Sequence, residues 1–189
     1  MDKNFLKECL RVEVIGGKDK VFSWPRAIRH AWRQPHRRYL FWFRIYSYLY
    51  NKHSNLLKKI ANSLNRKLIR KYNTDISLNA KIQPGLHIAH YNSIVITSHC
   101  SIGKNFKIRQ CTTIGIQNQG RRSEEYSINI GDNVYVGAHV CIVADSIRIG
   151  NNVIIGAMSF INKDIPDNCT YYTRKEGAIS AHSASVIEK

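Results

Sequence analysis

The stretch Ile130-Gly131-Asp132-Asn133-Val134-Tyr135-Val136-Gly137-Ala138-His139-Val140-Cys141-Ile142 places an aliphatic residue at every sixth position. The same period runs through the second half of the chain. It takes in Ile76, Ile82 and Ile88, then Ile96, Ile102, Ile108 and Ile114, then Ile130, Val136 and Ile142, then Ile149, Ile155 and Ile161. A small residue follows many of these: Gly103, Gly115, Gly131, Gly137, Gly150 and Gly156. A period of six is neither that of a helix nor that of an ordinary strand. It is the period of a parallel β-helix, an all-β solenoid in which each hexapeptide repeat supplies one short strand and a turn. Three faces close one coil, so the hexads predict a little over four stacked coils. Each aliphatic side chain points inward onto its counterpart one coil away, and the glycines relieve the corners.

Composition agrees with one solenoid plus an appended piece. The chain has 189 residues and five cysteines, Cys9, Cys100, Cys111, Cys141 and Cys169, with no C-x-x-C pair. That pattern favours a reducing, cytoplasmic setting over a disulfide framework and excludes a zinc ribbon. Met1 to Leu10 lacks the long apolar stretch of a signal peptide. The run from Tyr39 to Tyr50 is too short to span a bilayer and is broken by Arg44.

Charge divides the molecule. Residues 1–72 carry eighteen Lys or Arg against four Asp or Glu, so they hold nearly all of the formal +16. This region reads as helical: Ser23-Trp24-Pro25 is a helix start, and Ser54 caps a helix towards Tyr72 with Leu56, Ile60, Leu64 and Leu68 as its apolar stripe. Such helices are expected chiefly to cover the open end of the first coil. The basic and aromatic run Arg37–Arg44 also suits a peripheral contact with an anionic inner membrane. No motif for nucleic acid accompanies the charge. The expected division is a basic helical region over 1–72, the β-helix over 73–166 and a tail over 167–189.

The rhythm breaks twice. From Ile88 to Ile96 the step is eight and contains His90-Tyr91-Asn92; from Ile114 to Ile130 it is sixteen and contains the polar stretch Gln117 to Ser127. Insertions in a solenoid project as loops and commonly build the site.

Around these breaks the residues resemble the serine acetyltransferase branch of the hexapeptide acyltransferases. The likeness is carried by Asp75-Ile76-Ser77-Leu78-Asn79-Ala80-Lys81-Ile82, Gly85-Leu86-His87-Ile88-Ala89-His90, Cys111-Thr112-Thr113-Ile114-Gly115, and the two hexads beginning at Ile130 and Ile149. The resemblance implies a left-handed β-helix, a homotrimer with sites between subunits, and acetyl transfer from acetyl-CoA to a hydroxyl. It implies His90 as general base and Asp75, fifteen residues earlier, as the group that holds its tautomer. Chemistry agrees, since an imidazole titrates near neutrality and adjacent coils lie about 4.8 Å apart. It further implies Gly115, Ala138 and Ala157 beside the pantetheine arm, with Lys163 and Arg174-Lys175 near the CoA phosphates. His87, His90 and His99 lack the spacing of a zinc site, so no metal is expected.

Two departures bear on the acceptor. Ala89 stands where the serine enzymes carry aspartate, and Tyr126-Ser127 where they carry Arg-His. An amino acid zwitterion needs charged partners, whereas a hydroxyl-rich sugar is served by Tyr91, Asn92, Tyr126 and Ser127. The run Leu40–Tyr50 also resembles bacterial surface-polysaccharide acetyltransferases. The expectation is therefore a sugar O-acetyltransferase of surface-polysaccharide synthesis. The alternatives are a serine O-acetyltransferase of cysteine synthesis and a non-catalytic hexapeptide scaffold.

Overall fold

The computed structural model describes residues 1–17, 20–118, 120, 122, 126–174, 176 and 177. Much of the second rhythm break (119, 121 and 123–125) and Lys175 lie outside the described residues. Four helices come first: α1 (Lys3–Leu10), α2 (Trp24–Arg33), α3 (Pro35–Tyr50) and α4 (Asn55–Tyr72). Fourteen short strands follow: β1 (Thr74–Ile76), β2 (Lys81–Ile82), β3 (His87–Ile88), β4 (Ile94–Ile96), β5 (Cys100–Ile102), β6 (Lys107–Ile108), β7 (Thr113–Gly115), β8 (Ser127–Ile130), β9 (Tyr135–Val136), β10 (Cys141–Val143), β11 (Ser146–Ile149), β12 (Ile154–Ile155), β13 (Phe160–Ile161) and β14 (Thr170–Tyr171).

Every third strand joins the same sheet as far as β13. Face one is β1-β4-β7-β10-β13, face two β2-β5-β8-β11, and face three β3-β6-β9-β12-β14, all parallel. β14 follows β12 because a single bridge from Ile149 to Ile165 takes the place of a strand on face two. The result is a triangular parallel β-solenoid of about five turns. All thirteen hexad aliphatics are buried, and they stack in register as Ile76, Ile96, Ile114, Ile142 and Ile161 do on face one. The solenoid outlasts the expected boundary at residue 166. β14 pairs with β12, and Tyr172 packs over Gly156, so the first residues of the expected tail extend the last coil.

The corner between faces two and three shows why the hexads read as they do. Asn105, Asn133, Asn152 and Asn168 all adopt positive φ there, between 55° and 59°. Asparagine tolerates that conformation, and the four amides bond in a ladder at 2.9–3.0 Å from coil to coil. A second ladder runs beside it, with Asp132, Asn151 and Asp167 each accepting a backbone N–H from the coil below. The preceding glycines serve a different need from the one expected. Gly103, Gly131 and Gly150 have ordinary φ, but a Cβ at Gly131 would lie 2.6 Å from Asn151 Oδ1. They are small because the next coil is close, while the asparagines make the turn.

The helices close the first coil. That coil has no neighbour below, so its downward backbone groups need partners from elsewhere. Arg44 of α3 donates to the carbonyls of Ile82 (2.8 Å) and Gln83 (3.1 Å). Glu13, on a π-helical turn Arg11–Ile15 that prolongs α1, accepts the N–H groups of Gly85 and Leu86, both at 3.0 Å. The two side chains pair with each other at 2.6 and 2.9 Å and are almost wholly buried. Burial opposes the Arg44 charge, but Glu13 beside it outweighs this and holds its pKa above the ordinary value. Asn51 adds a bond to the Leu78 carbonyl.

Two expectations about this region are corrected. In α3, Tyr39, Leu40, Phe41, Phe43 and Arg44 are buried, so most of the run read as a membrane-facing face is the cap's own core. In α4 the buried residues are Ala61, Asn65 and Leu68, whereas Leu56 and Ile60 are exposed. Ser54 does cap this helix, accepting from Leu57 N, but Leu56 and Ile60 in its first turns face solvent rather than a core. No helix among the described residues is long and apolar enough to cross a membrane.

Replacing Arg44 with methionine would leave a buried carboxylate and two carbonyls unpartnered. The expected loss is about 3–5 kcal/mol, read as a lowered urea midpoint, and a midpoint within error of the parent would refute the capping role.

Candidate functional site

His90 sits at the corner between faces three and one, where the first rhythm break inserts two residues into the coil. Its side chain is exposed. Next to it, Tyr91 turns the other way, into the cap. Its ring lies 4.7 Å from Tyr39 and 5.6 Å from Tyr72, and its hydroxyl donates to the His36 carbonyl. Burial raises its pKa well above that of a free phenol. The insertion therefore does two things at once: it docks the cap through Tyr91 and projects His90 outward. Asn92 ends the insertion, accepting from Asn73 Nδ2 at 2.8 Å. Ala89 is half-buried at the end of β3.

Asp75 points outward from the middle of β1, in register with Val95 of β4. It borders a hollow of about 310 Å³ shared with Asn62, Asn65 and Arg66 of α4. His90 lies five residues before Val95 along the chain. No hydrogen bond or ion pair joins Asp75 to His90.

Above His90 the corner between faces three and one continues through Gln110, Ala138 and Ala157. His139 donates its backbone N–H to the Gln110 carbonyl, and Met158 to that of Ala138. His139 has φ 58°, which makes it a turn residue. Gly115 and Lys163 do not share this column. Gly115 ends β7 opposite Val143, at the corner between faces one and two, and exposed Lys163 follows β13 at that same corner. The four expected CoA contacts are thus split between the two edges of face one. Gly115 has an open side: a Cβ there would meet only Thr113 Cγ2, at 3.7 Å. The glycine is not required by its own coil.

The second break leaves from the Gly115 corner, and its base is held by residues the sequence reading passed over. Asp145 accepts the N–H groups of Gln117 (3.2 Å) and Asn118 (2.8 Å) and binds the Asn118 amide at 2.8 Å. Tyr126 is buried, donates its hydroxyl to the Asn118 carbonyl at 2.6 Å, and lies 5.1 Å from the His99 ring. Ser127 Oγ accepts from Asn129 Nδ2 at 2.6 Å. Tyr126 and Ser127 were expected to meet the acceptor; here both are engaged by the loop and the strand that carry them. Tyr91, expected to meet the acceptor as well, gives its hydroxyl to the His36 carbonyl. The one signal that pointed to Asp145 was an acidic residue in the coil directly above the long insertion.

Among the described residues no group of three or more His, Cys, Asp or Glu is arranged to hold a metal ion. His87 points outward from β3, and partial burial together with the charges of Lys107 and His36 lowers its pKa, so it is neutral near pH 7. The outward residues of face one, from Asp75 through Val95, Thr113 and Cys141 to Phe160, turn apolar away from the cap. Val95, Phe160 and Met158 are all exposed there.

No protein-family model matches the chain. Over 113 residues it is 33% identical to serine acetyltransferase 3, mitochondrial, of Arabidopsis thaliana, a stretch that makes up 60% of this chain and 28% of that protein. The chloroplastic serine acetyltransferase 1 of the same plant is 34% identical over the same length, which is 35% of its own. The chain thus spans about a third or less of these curated relatives. In structure it matches the Neisseria gonorrhoeae serine acetyltransferase solved with serine, with a TM-score of 0.70, 25% identity, and coverage of 89% of this chain and 66% of that one. The Entamoeba histolytica isoform 3 enzyme solved with cysteine shares the fold, with a TM-score of 0.71 over 97% of this chain and 63% of its own, at 21% identity.

If Asp145 holds the loop base, Asp145→Ala should speed amide hydrogen exchange at Gln117 and Asn118 by at least about tenfold while leaving the asparagine-ladder coils protected. Unchanged exchange at both amides would remove Asp145 from that role.

Proposed function

We infer that this chain, which resembles the serine acetyltransferase branch of the hexapeptide acyltransferases in sequence and fold, is an acetyl-CoA-dependent O-acetyltransferase. The observation that carries the reading is His90, an exposed imidazole on a two-residue insertion at a solenoid corner, inside the stretch that matches that branch. The imidazole accepts the proton of an acceptor hydroxyl as its oxygen attacks the thioester carbonyl. The tetrahedral oxyanion then collapses, the C–S bond breaks, and the imidazolium returns the proton to the departing thiolate.

No hydrogen bond or ion pair joins Asp75 to His90 within one chain, so Asp75 orients the imidazole only if a neighbouring subunit or the acceptor draws the two together. A homotrimer supplies such a neighbour. Its support is the outward column of face one, with exposed Val95 and Phe160 and half-buried Thr113 and Cys141 between them, flanked by His90 on one edge and open Gly115 on the other. Packing there would place His90 of one subunit across a groove from the Gly115 corner of the next. The pantetheine arm would then draw on both edges of face one, which reconciles Ala138 and Ala157 with Gly115 and Lys163.

For the acceptor, the named relatives favour L-serine. The sugar of a surface polysaccharide remains as a second reading on one specific ground: the acidic partner of a serine ammonium is Ala89 here, and no Arg-His pair precedes β8. Release of CoA thiol from acetyl-CoA, measured with L-serine and with a panel of sugars, separates the two. No release with any hydroxyl acceptor would leave the scaffold reading.

His90→Ala should lower kcat by roughly 10²–10⁴-fold with CoA affinity and oligomeric state retained. Asp75→Asn should be milder. Near-normal turnover of the His90 variant would end the assignment, and a stable, active monomer in light scattering would end the shared-site arrangement.

A further inference from the structure

A cavity of about 810 Å³, which Asp75 does not line, lies between the cap and face three. Its floor is the outward column of that face, in which His87, Lys107, Tyr135 and Ile154 stand in register. Its roof is the first turn of α3, with His36 and Arg37. The charges at the cap end do not cancel. Glu13 reaches the wall, but its carboxylate is taken by Arg44, Gly85 N and Leu86 N. Arg37 spends one nitrogen on the carbonyls of Val14 and Ile15 and on His30, while its Nη2 has no hydrogen-bond partner among the described residues. The ammonium of exposed Lys107 has no ion-pair partner there either.

A pocket with two cations and the His36 and His87 rings at one end, and Tyr135 and Ile154 at the other, fits an anion joined to a flat-faced, partly apolar body. Pockets of about 300–1,000 Å³ hold ligands much larger than an amino acid. Tyr91 forms part of the wall, and the preceding residue along the chain is His90, so the cleft adjoins the insertion that carries the proposed base.

We propose that this cleft is a phosphate subsite for the acetyl acceptor, making the acceptor a phosphorylated sugar. The proposal rests on the acetyl-transfer reading and selects the larger of its two acceptors. CoA is the other source of phosphate. The groups expected near its phosphates, Lys163 and Arg174, belong to the last coil, about 15 Å further along the solenoid than Lys107.

The test is calorimetric binding to the full chain at low salt, with glucose 1-phosphate, glucose and adenosine 3′,5′-bisphosphate as probes. Glucose 1-phosphate should bind and glucose should not. Lys107→Glu should weaken glucose 1-phosphate by about tenfold or more while leaving the bisphosphate unchanged. His87→Gln, checked for folding by circular dichroism, gives a second route should Lys107→Glu fold poorly, and should weaken the same probe. The proposal is overturned if glucose 1-phosphate does not bind, if both variants bind it normally, or if Lys107→Glu weakens only the bisphosphate, which would assign the phosphate to CoA. Thiol release keeps the two levels apart. Binding as expected without any acetyl transfer sinks the transferase and leaves the subsite; transfer to unphosphorylated acceptors with equal KM in parent and Lys107→Glu does the reverse.

Discussion

A solenoid coil is stable only when its backbone groups find partners on both sides, and the first coil of this one has a partner on only one. The buried Glu13–Arg44 pair resolves that asymmetry. An ion pair sunk in an apolar interior is by itself weak evidence for stability, because removing two charges from water is costly. Here the pair does more than attract itself. Arg44 takes two carbonyls and Glu13 takes two N–H groups, so four backbone partners offset the desolvation. The cap exists where it does because these groups must be met, and its aromatic core forms around them.

The site inherits its position from that solution. Tyr91 packs between α3 and α4 because the cap needs an anchor in the solenoid, and the insertion that lets it do so also lifts His90 clear of the corner. The proposed base is thus fixed to the cap by its immediate neighbour. The cleft under α3 is a by-product of the same docking, since the cap meets the coil end along one line and leaves face three uncovered beside it.

Most of the solenoid was legible, and the limit has a physical form. Inward aliphatics recur at fixed spacing because each coil repeats the same cross-section, so Ile76 through Ile161 could be placed without coordinates. The corners were half read: glycine marks them in the sequence, but Asn105, Asn133, Asn152 and Asn168 make the turn and glycine only yields room. The pairing of Glu13 and Arg44 was invisible, because their partners lie 31 to 73 residues away and no period links them. Tyr91 and Tyr126 have a structural part that their sequence context did not show. A tyrosine in a polar insertion looks like a ligand contact, but each buries its ring and spends its hydroxyl on a nearby carbonyl. His90 and Asp75 were legible as residues; their relation was not, since the coil closes in one chain without joining them.

The asparagine ladder has a direction. Each amide nitrogen donates to the oxygen of the next asparagine away from the cap, from Asn105 through Asn133 and Asn152 to Asn168. At the cap end the column stops at Gly85, which has no side chain to continue it and whose N–H is already given to Glu13. At the far end Asn168 has no further asparagine among the described residues to receive its amide. The stack is therefore closed below and open above. A coil gained or lost in the history of this chain would be accommodated at the end remote from the helices, where it disturbs neither His90 nor the cap.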